Sequence, residues 1–286
     1  MDKLKSTISN DFHSSKMSES DFKVLSEFIY KEYGIKMPPS KKILLESRLQ
    51  KRLKANHIDT FKEYCEYVFS EKGNETEIVH MIDVVSTNKT DFFRELAHFE
   101  YMNEVLLPSF TSQNSNEIKI WSSACSSGEE PYTIAMVMSE YNLQHSPINF
   151  HILGTDISSA VLHKAENAIY AEDRIKEIPH SILRKYFLKS KDLTKPTVRV
   201  VSEIRKKVAF CRLNLMADNY PISESFDIIF CRNVLIYFDR ITQEKVIGKL
   251  CEKLKPNGTF FLGHSESLLG MDLPLKNIKP TIFKKI

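Results

Sequence analysis

Residues 118–138 limit what this chain can fold into more than any other stretch. Ile118-Lys-Ile-Trp-Ser122 reads as a short buried strand, and a tight turn of small residues, Ser123-Ala-Cys-Ser-Ser-Gly128, follows it. Glu129 then opens a helix that carries Ile134, Ala135 and Met138 on one face. A strand that turns through small residues into a helix can cradle a nucleotide-like ligand, because little side-chain bulk blocks approach to the backbone. Glu129 and Glu130 would repel a pyrophosphate and favour a cation, which points to a positively charged nucleoside. S-adenosylmethionine is the common one. An NAD-type site is disfavoured, since G-x-G-x-x-G is absent and Gly128 is the only glycine of the first turn.

The rest of the second half repeats the alternation. Strands are expected at Ile118–Ser122, Asn149–Thr155, Val208–Arg212, Phe226–Cys231 and Thr259–Gly263, with helices between most of them, which implies βαβ units and a parallel sheet. Pro256-Asn257-Gly258 is expected to turn the chain into the late strand, and Thr281–Lys285 to form a last edge strand. Between Tyr170 and Lys207 the rhythm breaks, and Thr197–Val201 suggests an insertion with its own small β element. The fold class is therefore α/β, Rossmann-like, with a small β insertion and an all-α N-terminal domain.

That first domain reads as helical. Ser18-x-x-Asp21 is an N-cap signal, followed by Phe22, Leu25, Ile29 and Tyr33 at helical spacing, with Gly34 as the stop. Pro38, Pro39 and Ser40 start a second helix with Leu45, Leu49 and Leu53 as its apolar stripe. Thr60-x-x-Glu63 caps a third, expected to stop near Gly73, and Ile78, Met81, Ile82 and Val85 mark a fourth. A fifth is expected from Asp91 to Leu107, ending at Pro108. The boundaries implied are a polar, disordered tail over 1–16, a helical domain over 17–88, a linker and connecting helix over 89–116, and an α/β domain over 117–286 with its insertion at 170–207.

Composition narrows the class. No apolar run approaches the ~18 residues of a membrane span, and the Ser-rich N-terminus lacks an apolar signal region. The five cysteines are scattered and odd in number, and the nine histidines form no metal-ligand pattern. A reducing cytoplasm fits, with no metal. A net charge of +3 is too small to imply nucleic acid by itself.

In open α/β sheets the ligand lies beyond the carboxyl ends of the strands, and four such ends carry suggestive residues. They are the Ser123–Glu130 turn, Asp156, Asn214, and the polar pair Arg232-Asn233 before an aromatic cluster. Each has a plainer reading. Asp156 fits a cap for the helix beginning at Ser158, Asn214 a turn residue, Glu129 and Glu130 partners for a helix dipole, and Arg232-Asn233 an ordinary loop. Their fall at successive strand ends favours a site.

The run Trp121-Ser-Ser-Ala-Cys-Ser-Ser-Gly-Glu-Glu-Pro-Tyr132 resembles the cofactor signature of the chemotaxis receptor methyltransferases, the CheR family. So do Thr87-Asn-Lys-Thr-Asp-Phe-Phe-Arg94, Phe230-Cys-Arg-Asn-Val-Leu-Ile-Tyr-Phe238, and Leu254-Lys-Pro-Asn-Gly258 with Gly263-His-Ser-Glu266. The resemblance runs from about Ser18 over nearly the whole chain. It implies methyl transfer from S-adenosylmethionine, leaving S-adenosylhomocysteine, to glutamate side chains on chemoreceptor cytoplasmic helices. It places Asn88, Thr90 and Arg94 at the cofactor, with Glu130, Asp156 at the ribose, Asn214 and Leu215 flanking the adenine, and Arg232 and Asn233 closing the far side. Arg94 and Tyr237 would face the reacting methyl and the glutamate. Without the motifs, Arg94 reads as a surface charge and Tyr237 as a core aromatic.

A glutamate carboxylate is ionised at neutral pH, so no general base is needed and alignment is the task. The basic helix of Lys41, Lys42, Arg48, Lys51, Arg52 and Lys54 reads either as a solvated face or, through Arg48, Lys51 and Arg52, as a docking surface for an acidic receptor helix. The implied partner is the cytoplasmic domain of a methyl-accepting chemoreceptor, with the chain cytoplasmic and recruited to membrane-bound arrays without inserting. Two alternatives stand beside this reading. A nucleic-acid methyltransferase is disfavoured because Arg232-Asn-Val-Leu replaces the N/D-P-P-Y of amino-methylating enzymes. A non-catalytic, cofactor-sensing scaffold is the other.

Overall fold

A computed structural model describes residues 15–112, 117–192 and 194–286. The disordered tail expected over 1–16 therefore lies, through residue 14, outside the described residues. The chain forms two compact units. One takes the chain up to Phe28 and Met37–Val85, and the other Ile29–Lys36 and Ser86–Ile286.

The first unit is helical: α1 (Glu19–Tyr33, whose last turns belong to the second unit), α2 (Lys42–Ala55), α3 (Phe61–Val68) and α4 (Glu71–Val85). The caps form as the sequence implies. Asp21 N–H donates to Ser18 Oγ while Ser18 N–H donates to Asp21 Oδ2, and Thr60 and Glu63 exchange the same pair of bonds. Leu45, Leu49 and Leu53, one turn apart, are all buried. The third helix does not run to Gly73. It ends at Val68, and Gly73 lies inside α4, where a Cβ would stand 1.9 Å from the Tyr67 carbonyl oxygen. The glycine is there for close approach, which sequence alone reads as a stop.

The unit's polar centre is Glu77, only 2% exposed. It accepts from Arg52 Nε and Nη2 at 2.9 and 2.7 Å and from the Tyr64 hydroxyl at 2.8 Å. Burial works against its charge, but these donors hold its carboxyl below the ordinary range.

The second unit holds α5 (Ala97–Tyr101), a π turn at Met102–Leu106, α6 (Leu107–Ser112), β1 (Glu117–Ser122), α7 (Glu129–Gln144), β2 (Asn149–Asp156) and α8 (Ser159–Asn167). Next come β3 (Ile169–Ala171), α9 (His180–Tyr186), β4 (Phe187–Lys189), β5 (Thr197–Val200), α10 (Ser202–Arg205) and β6 (Val208–Arg212). The chain ends with β7 (Phe226–Cys231), α11 (Arg240–Lys253), β8 (Leu254–Leu262), β9 (Leu275–Lys279) and β10 (Ile282–Lys285).

The fifth helix departs from the expectation at both ends. Phe93 (φ 54°) and Glu95 (φ 60°) are left-handed, so the helix begins only at Ala97. It then runs past Pro108 through Leu107–Ser112, because the wider π turn just before the proline accommodates its ring and missing N–H.

The large sheet has the order β6-β2-β1-β7-β8-β10-β9, parallel from β6 to β8 and antiparallel beyond. Its faces alternate. Ile120, Ile228, Phe230 and Phe261 pack with α5 and α7 on one side, while Trp121, Ile229, Phe260 and Leu262 pack with α11 on the other. The late strand starts at Leu254 rather than Thr259, since Pro256-Asn257-Gly258 forms a bulge inside it, with Asn257 at φ 61°. Ile282–Lys285 is interior, and β9 is the edge instead; mostly exposed, its Leu-Lys-Asn-Ile-Lys pattern gives no strand signal. The insertion is a three-stranded antiparallel sheet, β3-β5-β4.

Gly73→Ala should cost about 2 kcal/mol in urea unfolding, the scale of a forced overpacking. Glu77, with its folded pKa depressed, adds stability that is present above the unfolded carboxyl value and lost as pH falls through the folded one. Glu77→Gln should therefore flatten the acid limb of the stability–pH curve.

Candidate functional site

The strand order reverses at β1, with the strands still parallel: β2 and β6 extend the sheet to one side of β1, and β7 and β8 to the other. The crevice beyond the carboxyl ends of these strands is where doubly wound sheets bind ligands. The first turn is pinned there to both neighbouring strands. Ser123 N–H donates to the Phe230 carbonyl at 2.9 Å, Cys125 N–H to that of Thr155 at 2.8 Å, and Ser126 N–H to Asp156 Oδ2 at 2.8 Å. Gly128 has φ 95°, and a Cβ on it would come 2.9 Å from that of Ala165, so only glycine lets the turn close against α8.

Asp156, 8% exposed, also accepts the Ser158 N–H at 3.0 Å through Oδ1. The cap of α8 is Ser158 itself, whose Oγ accepts from Val161 N–H. Asp156 thus ties the first turn to the second instead of capping the helix.

The acids at the start of α7 are not left facing solvent. Glu129 accepts from Arg174 Nη2 at 2.9 Å and Ser127 Oγ at 2.7 Å. Glu130 accepts from Arg232 Nη1 at 2.9 Å and Ser122 Oγ at 2.7 Å. Each arginine then reaches the segment that carries Arg94. Arg174 donates to the Thr90 carbonyl and pairs with Asp91 at 3.1 Å. Arg232 donates to the Arg94 carbonyl and pairs with Glu95 at 3.0 Å. Arg232, 6% exposed, lies over the Phe99 ring, and its Nε has no partner among the described residues.

Glu95 gathers further donors, from Asn233 Nδ2 at 3.1 Å and His264 N–H at 3.2 Å. Burial opposes its charge, but Arg232 and these bonds keep its carboxyl below the ordinary range. His98, buried beside it and repelled by Arg232, falls to about 4. Its Nε2 meets Thr281 Oγ1 at 2.8 Å. Glu95, His98 and His264 bring three potential ligand atoms within 4.8 Å of one another, but an entering cation would meet the Arg232 guanidinium on the same carboxylate oxygen. Glu266 accepts three backbone N–H groups, from Gly263, Asn233 and Leu235, at 2.7, 3.0 and 2.7 Å. It holds Asn233 in its left-handed conformation, φ 57°. Burial nevertheless pushes its carboxyl up.

The remaining sequence-derived positions distribute as follows. The Asn88 carbonyl accepts Ser126 Oγ at 2.9 Å, which brings that segment onto the first turn. Thr90 is 9% exposed, and Arg94 is half-buried with Nη1 donating to the Lys89 carbonyl at 3.1 Å. Asn214, beyond β6, makes a turn through Oδ1 to Met216 N–H and donates from Nδ2 to the Glu32 carbonyl, both at 2.9 Å. Leu215 beside it is buried. Tyr237 is half-buried at the end of the short turn Leu235–Tyr237 that follows Asn233.

In the first unit Arg52 is committed to Glu77, and Arg48 donates to the Val85 carbonyl, while Lys51 is exposed. Sequence reasoning missed Asp91, Glu95 and Arg174. Glu95 directly follows a quoted motif and Asp91 lies inside one, whereas Arg174, in the insertion, carries no local signal.

In this cluster Asp91, Glu95, Glu129, Glu130 and Asp156 supply five carboxylates against the guanidiniums of Arg94, Arg174 and Arg232. The surplus is negative, so the donor set suits a cationic nucleoside even though neither acid of α7 stands alone.

Comparison with known proteins gives the same answer. Residues 88–283 match the family model described as CheR methyltransferase, SAM binding domain, and residues 20–86 that described as CheR methyltransferase, all-alpha domain. A protein of Borreliella burgdorferi named chemotaxis protein methyltransferase is 41% identical over 276 residues, 94% of this chain and 95% of the relative. One of the same name from Escherichia coli is 36% identical, across 88% of this chain and 85% of its own. Chemotaxis protein methyltransferase 2 of Pseudomonas aeruginosa is 33% identical, across 96% and 94%. The cofactor is S-adenosylmethionine.

Arg232→Met should strand two largely covered carboxylates, Glu95 and Glu130, and cost about 3 kcal/mol in urea unfolding. Adding Glu130→Gln should recover part of that loss. With both domain models matched in order and relatives aligned across nearly its whole length, the chain belongs to the CheR methyltransferase family.

Proposed function

We propose that this chain transfers the methyl group of S-adenosylmethionine to glutamate carboxylates on the cytoplasmic helices of chemoreceptors, giving glutamyl methyl esters for chemotactic adaptation. The observation that carries the reading is Arg94, held by its own carbonyl and by Glu95 against Arg232 at the carboxyl end of β7. These contacts hold the Arg94 backbone, its side chain donates to the Lys89 carbonyl, and a cationic residue on a loop so held would suit an acceptor that is itself an anion.

S-adenosylmethionine brings a methyl group already activated on a positively charged sulfur. The chain's residues have to bind, align and exclude water. In the proposed arrangement Asn88, Thr90, Arg94, Glu130, Asp156, Asn214, Leu215, Arg232 and Asn233 surround the cofactor. Glu130 and Arg232 contribute as a fixed ion pair, and Asp156 as a carboxylate fixed by two backbone N–H groups. Arg94 orients the acceptor carboxylate, and the Tyr237 hydroxyl donates to it. A glutamate is ionised at neutral pH, so neither residue removes a proton. A single donation from each side holds the acceptor without burying its nucleophilic oxygen in a bidentate pair.

The partner in this reading is a receptor helix rich in glutamate, met in the cytoplasm at membrane-bound arrays. Among the described residues no helix is long and apolar enough to cross a membrane. The basic face of α2 supplies the steering. Arg52 and Arg48 also hold the first unit together, so charge reversal there confounds docking with unfolding. Lys51, exposed, separates the two.

Transfer of labelled methyl to a receptor cytoplasmic fragment should give protein-bound label that mild alkali releases as methanol. Label that is stable to alkali would contradict a glutamyl ester. Tyr237→Phe with Arg94→Ala should lower the transfer rate by at least about a hundredfold, and an undiminished rate would exclude their roles. Lys51→Glu should raise the KM for the receptor fragment and leave affinity for S-adenosylhomocysteine unchanged. Equal losses in both would count against docking on α2.

A further inference from the structure

The segment from Thr90 to Glu95 is held by two arginines in the same way at its two ends. At the first, Arg174 donates to the Thr90 carbonyl, pairs with Asp91 at 3.1 Å, and is anchored on Glu129 at 2.9 Å. At the second, Arg232 donates to the Arg94 carbonyl, pairs with Glu95 at 3.0 Å, and is anchored on Glu130 at 2.9 Å. In each case one guanidinium joins a carbonyl of the segment, the next residue's carboxylate, and one of two consecutive glutamates at the start of α7. Between the anchors, Phe93 N–H donates to Thr133 Oγ1, also on α7, at 3.1 Å. Phe93 and Glu95, flanking Arg94, both take left-handed backbone that non-glycine residues avoid. A six-residue loop would not choose that conformation by itself, so its anchors must impose it.

We infer that Asp91, Glu95, Glu129 and Arg174 are positioning residues: with Arg232 they clamp the Thr90–Glu95 loop in the conformation that presents Thr90 and Arg94 to the cofactor. The Arg174 clamp has a consequence for the insertion. Arg174 lies between β3 and β4 of the three-stranded sheet, so that sheet is mechanically joined to the Arg94 loop. A guanidinium suits this task because its donors are spread over a rigid planar fork, whereas an ammonium presents its three donors from a single atom at the end of a flexible stem.

The inference rests on the proposed placement of the cofactor beside Thr90 and Arg94, but its test needs no methyl acceptor. S-adenosylhomocysteine affinity is measured by calorimetry for the full chain and for Arg174→Met, Arg174→Lys and Asp91→Asn. Hydrogen exchange of the residue 90–95 amides and the thermal midpoint are followed alongside. If releasing one clamp leaves the loop in its binding conformation about a tenth of the time, affinity falls about tenfold. The expected result is that loss for Arg174→Met, with faster exchange in the loop. Arg174→Lys should recover only part of it, because charge returns without the fork. Asp91, about half exposed, removes one arm with little risk to folding, and Asp91→Asn should weaken binding to a smaller degree with the same exchange signature. It decides the matter if Arg174→Met does not fold. Unchanged affinity and loop exchange in a folded Arg174→Met or Asp91→Asn overturns the inference, as does full restoration by Arg174→Lys. A wild-type chain that binds S-adenosylhomocysteine but methylates no receptor glutamate would sink the proposed function and leave this test standing.

Discussion

The buried guanidinium of Arg232 is the contact on which the site depends. It is drawn from the end of β7, sits almost without solvent between Glu95 and Glu130, and donates to the Arg94 carbonyl. A charge so placed must be fully paired, because desolvation costs several kcal/mol per ion. The pairing requires three separate pieces of chain to meet: the first turn of α7, the exit of β7, and the loop before α5. Two of these are fixed by the parallel sheet. The third is irregular, with two left-handed residues costing about 1 kcal/mol each, and is held in place by the charges.

The same arrangement alters the physical reason for cofactor preference. Glu129 and Glu130 invite the idea that two open acids attract a cationic ligand. Each is instead matched by an arginine, and the local charge stays negative because Asp91, Glu95 and Asp156 crowd in as well. The negative surplus belongs to the whole cluster, and no single carboxylate supplies it.

What the sequence reveals and what it hides follow from the range of the interactions. The strand ends at Ser122, Asp156 and Cys231 are legible because burial of a parallel sheet favours apolar runs, and polar residues at or immediately after them stand out. Arg232 and Asn233 are visible for that reason, and Glu130 through its turn. The Arg94 loop is hidden, since helical periodicity continues through 91–107 while tertiary ion pairs override it up to Leu96. Gly73 shows the same limit on a smaller scale: a close carbonyl, invisible in the sequence, turns an apparent stop into a helix interior. Arg174 lies 84 residues from the Thr90 it bonds, and β9 has too little burial to leave an alternating pattern. The basic run of α2 is plain in the sequence. Which of its charges are already spent inside the first unit becomes clear only when Glu77 is seen under Arg52.

The central claim is that the arginine-held loop presents Arg94 to the cofactor at the carboxyl ends of the sheet, and a crystal structure of the full chain with S-adenosylhomocysteine tests it most directly. The account predicts the ligand between the first turn, Asp156 and the Arg94 loop, with the Glu95–Arg232–Glu130 and Asp91–Arg174–Glu129 contacts intact. A ligand bound in that crevice with the loop released from both arginines, or bound elsewhere on the chain, would contradict it.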